Sequence, residues 1–187
     1  MLTAFSRVLY RHATWRAIVP LLLICAGYFW VFNYSSLPIS NPAVVATGCG
    51  EGLLDLRQYY NASAAYQALD CYGVTGRAIY KRFLLADTSF VFFYGAGFSL
   101  LLTRLLSMLT VQASRWRIAN MLPLSVALAD ATENLLIFIL LSAFPQYLPE
   151  LGDLAGLVTL TKWALSVVSL ATLTGCLGTL LWRRIRF

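Results

Sequence analysis

Four stretches of this chain, residues 17–34, 83–103, 122–144 and 154–182, are apolar with few interruptions, and the charges fall mainly between them. A helix rises about 1.5 Å per residue, so about 20 apolar residues match the ~30 Å hydrocarbon core of a bilayer. The pattern predicts an all-α membrane protein with four transmembrane helices. Pro38 and Pro42 end the first of them. Between the first two spans, residues 37–82 form the one connection long enough to fold. There Ala64, Ala65, Ala68, Leu69 and Tyr72 are spaced for one helical face, and Gly73 follows as a helix-ending residue. This segment reads as a small helical cap lying on the outer membrane surface. The connection at 145–153 is short, which makes the third and fourth helices antiparallel neighbours. A single four-helix transmembrane domain, 1–187, is expected.

Composition agrees with this pattern. Hydrophobic residues make up 59% of the 187 residues and charged ones 12%, whereas soluble domains carry about 45–50% and 25%. There are 14 Lys+Arg against 8 Asp+Glu, and their placement decides what the basic balance means. Arg7, Arg11, Arg16, Arg104, Arg115, Arg117, Arg183, Arg184 and Arg186 lie on one side of the predicted spans. Arg57, Arg77, Lys81 and Arg82 lie on the other. By the positive-inside rule both termini face the cytoplasm or its equivalent. A bacterial inner membrane or an organelle inner membrane is the expected location. The partners implied are membrane lipids and other integral membrane subunits, not nucleic acid.

The first apolar run is as long as a span and ends in Tyr28, Phe29, Trp30, Phe32 and Tyr34, an interfacial aromatic cluster with no small-residue cleavage site. It reads as an uncleaved anchor, and an organelle import signal stays open. Cys49 and Cys71 share the outer segment, where a disulfide would close a loop of about 20 residues and stabilise by about 3 kcal/mol. No C-x-x-C is present, and the lone His12 has no partner of metal-ligand type, so neither metal nor cofactor is expected.

The candidate chemistry lies inside the spans, where ionisable residues are costly. Asp130, Glu133 and Asn134 fall at i, i+3 and i+4, on one face of the third span near its middle. They must face other helices. The cluster is either a proton relay, acid/base pair or polar pocket, or an interhelical knot that fixes packing. Asp87 lies a turn below the outer surface, with Tyr94 and Gly95 near the same stripe. Lys162 either pairs with Asp87 or snorkels outward beside Trp163. Arg77 and Tyr80 stand where the cap meets the second helix, and Arg77 either clamps a lipid phosphate or reaches Asp70 or Asp87. Arg77, Tyr80, Asp87 and Lys162 are the candidate ligand-binding or lipid-binding residues.

Tyr59, Ala65-Tyr66, Leu69, Tyr72-Gly73-x-x-Gly76-Arg77-x-x-Tyr80, Asp87, Tyr94-Gly95, Asp130-x-x-Glu133-Asn134 and Lys162-Trp163 resemble a group of uncharacterised small four-span membrane proteins. That resemblance implies a four-helix architecture and no activity. Two functions lead, with a small transporter third because four spans would need to dimerise to line a path. The first is a non-catalytic accessory subunit of a larger membrane complex. The second is a membrane-embedded enzyme or lipid-binding protein built on the Asp/Glu/Asn cluster. A lipid-accessible pocket with the polar groups converging on it favours the second; a dry, closed core with apolar outer faces favours the first.

Overall fold

The computed structural model describes residues 4–47, 50, 52–109 and 115–185. It is helical, with no strand among the described residues. The helices are α1 (Ala4–His12), α2 (Trp15–Tyr34), α3 (Asn41–Val45), α4 (Ala62–Cys71), α5 (Gly73–Met108), α6 (Leu122–Ala143) and α7 (Pro149–Ile185). Short 3-10 turns cover Leu54–Leu56 and Arg115–Met121. Four helices are long and apolar enough to cross a membrane: α2, α5, the segment Arg117–Ala143 containing α6, and α7. They suggest an integral membrane protein.

The two longest, α5 with 36 residues and α7 with 37, extend for about 54 Å or more. Each exceeds the ~30 Å core, so their ends project beyond it. Helix α5 therefore starts about three turns before the expected second span, 83–103. Gly73 at φ +60 reverses the chain out of α4 and starts α5 directly, a conformation that costs glycine nothing. Asn61 caps α4 through its side chain, which accepts from the Ala64 amide at 2.9 Å, and Ser40 does the same for α3 from the Ala43 amide at 3.3 Å.

The cap does not simply rest on the bundle. Leu53, Leu54, Tyr60, Ala65, Leu69 and Tyr72 share one buried cluster with Tyr80 and Leu84 of α5 and Ile137 and Leu140 of α6. The expected cap between the first two spans is present as short helices, and it packs into the end of the bundle, where Leu53 and Leu54 bury their side chains in the shared cluster. Two smaller clusters close the opposite end. Leu102, Leu105 and Leu106 meet Leu173 and Cys176, and α1 packs Leu9 and Ala13 near Ile18 and Leu100. Arg117 stacks over the Tyr10 ring at 4.0 Å on that end.

Helix α2 packs along α5, α5 along α6, and α6 along α7. Among the described residues α2 and α7 share no extended contact. The bundle is thus an incompletely closed ring. The expected Cys49–Cys71 disulfide lies outside the described residues, because Cys49 is not among them; Cys25 and Cys176 are free, buried thiols.

Candidate functional site

A polar network lies in the cap-side half of the bundle, and Lys162 of α7 is its centre. Its Nζ lies 2.5 Å from Glu133 Oε2 and 3.3 Å from Asp130 Oδ1, and donates to the Asp55 carbonyl oxygen at 2.9 Å. An ammonium has three N–H groups, and three acceptors surround this one. Asp130 and Glu133 sit three residues apart on α6, so one face presents both carboxylates to α7. Glu133 is fully buried, and its Oε1 accepts from Thr159 Oγ1 at 2.5 Å. Thr159 precedes Lys162 by three residues, so the two α7 side chains grip both oxygens of one carboxylate.

Helix α5 supplies the next layer. Tyr94 donates from its hydroxyl to Asp130 Oδ2 at 2.8 Å. Asp87, 8% exposed, accepts from Asn134 Nδ2 on its Oδ2 at 2.8 Å. No described residue donates to its other oxygen. The sequence paired Asp87 with Lys162 as one option; the structure gives Asp87 to Asn134 and Lys162 to the α6 carboxylates. The helix faces explain this, because Asn134 sits one residue past Glu133 and turns toward α5 while Glu133 faces α7.

From the cap, Asp55 enters the same region. Tyr80 donates to Asp55 Oδ1 at 2.5 Å, and the Asp55 amide donates back to the Tyr80 hydroxyl at 3.2 Å. Burial pushes the Asp55 carboxyl above its ordinary value, against the opposing pull of Lys162 and the Tyr80 hydrogen bond. Tyr80 itself is fully buried, so it holds the cap in place and does not face lipid. Arg77 lies apart from the network. It donates to the Leu69 carbonyl at 2.8 Å and stacks over the Phe144 ring at 4.2 Å. Neither Asp70 nor Asp87 is its partner; the guanidinium caps the end of α4 instead. Among the described residues no group of His, Cys, Asp and Glu is arranged to hold a metal ion.

This network forms one wall of a cavity of about 310 Å³. Its other walls are aromatic: Phe29 and Phe32 of α2, and Phe83 and Phe90 of α5. Asp87, Asp130 and Lys162 line it, with Trp163 and Ser166 at the α7 edge and Asn41 of α3 near the cap. Phe29 on one side and Trp163 on the other are 57% and 37% exposed, which puts the opening in the gap between α2 and α7. Trp163 donates to the Arg57 carbonyl at 2.7 Å, tying this edge to the cap.

Sequence reasoning found Asp87, Asp130, Glu133, Asn134 and Lys162 from the cost of charge inside spans, and the structure brings all of them together. It missed Asp55, Thr159 and the phenylalanine wall. Asp55 carried one usable signal: a single carboxyl inside Leu53-Leu54-Asp55-Leu56, an apolar run that a solvated loop has no reason to contain. No protein-family model matches the chain, and no curated protein or solved structure matches it either.

Proposed function

We propose that this protein binds an amphiphile within the membrane, holding the head group against the Asp87–Asp130–Lys162 wall of the lateral cavity. The observation that carries this reading is the convergence of buried ionisable groups on an aromatic-lined space that opens between two lipid-facing helices. Cavities of this size, mostly apolar with a few converging polar groups, are the usual form of small-molecule sites. Packing alone does not account for the wall. One ammonium needs one carboxylate, yet Asp87, Asp130 and Glu133, all on spanning helices, gather near Lys162. A charged carboxylate within a span costs up to about 2.5–3.5 kcal/mol, while an interhelical hydrogen bond returns only about 0.6 kcal/mol on average.

The reading is tested by native mass spectrometry of the protein extracted in mild detergent. A retained amphiphile is expected on the native chain and absent from Val126→Trp, which fills the cavity from α6. Equal, featureless spectra from both proteins would contradict it.

The accessory-subunit reading has its own support. Leu160, Val167, Leu177 and Leu181 leave one side of α7 exposed and apolar, as a helix that packs on a partner would be. Acyl chains cover such a face equally well, and the reading assigns no role to the cavity. Co-purification of a stoichiometric membrane partner, with no amphiphile, would favour it. Location follows the arginine distribution: the cap end is proposed to face away from the cytoplasm or its equivalent.

A further inference from the structure

The cavity wall is one-sided in its hydrogen-bonding chemistry. Its charged and aromatic donors are spent inside the protein; the Asn41 amide nitrogen is the exception among the described residues. The Lys162 ammonium is surrounded by Glu133, Asp130 and the Asp55 carbonyl. Tyr94 donates to Asp130, Ser166 to the Lys162 carbonyl at 2.7 Å, and Trp163 to the Arg57 carbonyl. The charged acceptor that remains is Asp87, more than nine-tenths buried, with one oxygen that receives no donor from the described residues, and it lines the cavity.

A second space continues from it. A cavity of about 220 Å³ shares Tyr94, Val126 and Ser166 with the first and runs on past Phe98 and Pro123 to Leu173. It is apolar and carries none of the charged groups. From Asp87 to Phe98 along α5 is about 16 Å, the length of an extended chain of about twelve carbons.

We infer that the bound amphiphile is a long-chain ammonium compound, its N–H donors directed to Asp87 and its single apolar chain lying in the second cavity between α5, α6 and α7. An anionic head group finds no free donor on the Lys162 side and meets the Asp87 carboxylate. A cation offsets the carboxylate surplus in a cavity also lined by Phe32, Phe83 and Phe90. Such a head group also satisfies the open Asp87 oxygen, which a quaternary ammonium without N–H does not. This assignment rests on the amphiphile-binding reading and names the class of its ligand.

The test uses the full chain in phosphatidylcholine nanodiscs near neutral pH, with tritiated dodecylamine as the probe and empty nanodiscs subtracted. Saturable binding is expected, with unlabelled dodecanol and dodecanoate competing at least tenfold more weakly than dodecylamine. Asp87→Asn keeps an oxygen for Asn134 and is expected to weaken dodecylamine at least tenfold, leaving the thermal transition in place. Ser169→Trp, which fills the second cavity, is expected to weaken it comparably. If dodecanol or dodecanoate competes as well as the amine, and Ser169→Trp still abolishes binding, the ammonium assignment is overturned while the amphiphile reading stands. If none of the three probes finds a saturable site, both fall; if Ser169→Trp changes nothing, the chain placement in the second cavity is overturned. The competition series needs no variant, so misfolding of Asp87→Asn would not rescue the assignment.

Discussion

Lys162 and Glu133 bury opposite charges 2.5 Å apart, and the consequence of removing either is asymmetric. Replacing both by apolar groups can be neutral, whereas removing one leaves an uncompensated buried charge at about 3–5 kcal/mol. Lys162→Met and Glu133→Ala are each expected to lose stability on that scale in denaturant unfolding of the detergent-solubilised protein. The double variant Lys162→Met/Glu133→Gln is expected to lose less than Lys162→Met alone. Additive losses would mean that the pair does not act as a unit. Glu133→Gln alone keeps an oxygen for Thr159 and leaves Lys162 with Asp130 and the Asp55 carbonyl, so it should cost less than Glu133→Ala. Asp55 gives a pH-dependent prediction. Its carboxyl holds its proton more tightly in the folded state than the ordinary value of 3.8. The stability it contributes is complete below that value and is lost as pH rises through the folded-state pKa. Asp55→Asn stays neutral and can still accept from Tyr80. Its stability relative to the native chain should therefore rise as pH increases above about 4; a pH-independent difference would contradict the burial of this carboxyl.

At the scale of elements, the cap stays in place because α7 presents glycine where α4 and the segment before it approach. A Cβ on Gly156 would collide with the backbone carbonyl of Tyr60, and one on Gly152 would come within 2.9 Å of the Ala62 Cα and Cβ. Backbone cannot yield as a flexible side chain does, so Gly156→Ala is expected to cost about 1–3 kcal/mol. It should also raise hydrogen exchange in α4, while the far end of α7, where Gly175 and Gly178 have open space, should tolerate alanine. The spans were legible because a bilayer demands length and apolarity that few other structures need. The polar face of α6 was legible because Asp130, Glu133 and Asn134 repeat at helical spacing. Their partners were not. Which of Asp87 and Asp130 meets Lys162 depends on the rotation of α6 between α5 and α7, set by packing across the whole contact. The entry of Asp55 depends on three cap segments folding together, and no periodicity records that.

For the whole molecule, an open row of helices with a cap over one end makes a site reached from the side. Orientation is expected to follow the arginines. In cysteine-accessibility labelling of intact cells or vesicles, Ser63→Cys on the cap and His12→Cys near the N-terminal end should label from opposite sides. Labelling from the same side would contradict the topology. The central claim is that an amphiphile enters through the gap between α2 and α7 and lies against the buried carboxylate wall. Photo-crosslinking in the native membrane, with a diazirine-bearing single-chain ammonium amphiphile and peptide mapping of the adducts, tests this most directly. Adducts are expected on cavity-lining Phe90, Tyr94 and Phe98, and their loss on Ser169→Trp. Adducts confined to outward-facing residues such as Leu128, Leu135 and Leu160, unchanged by that substitution, would contradict it.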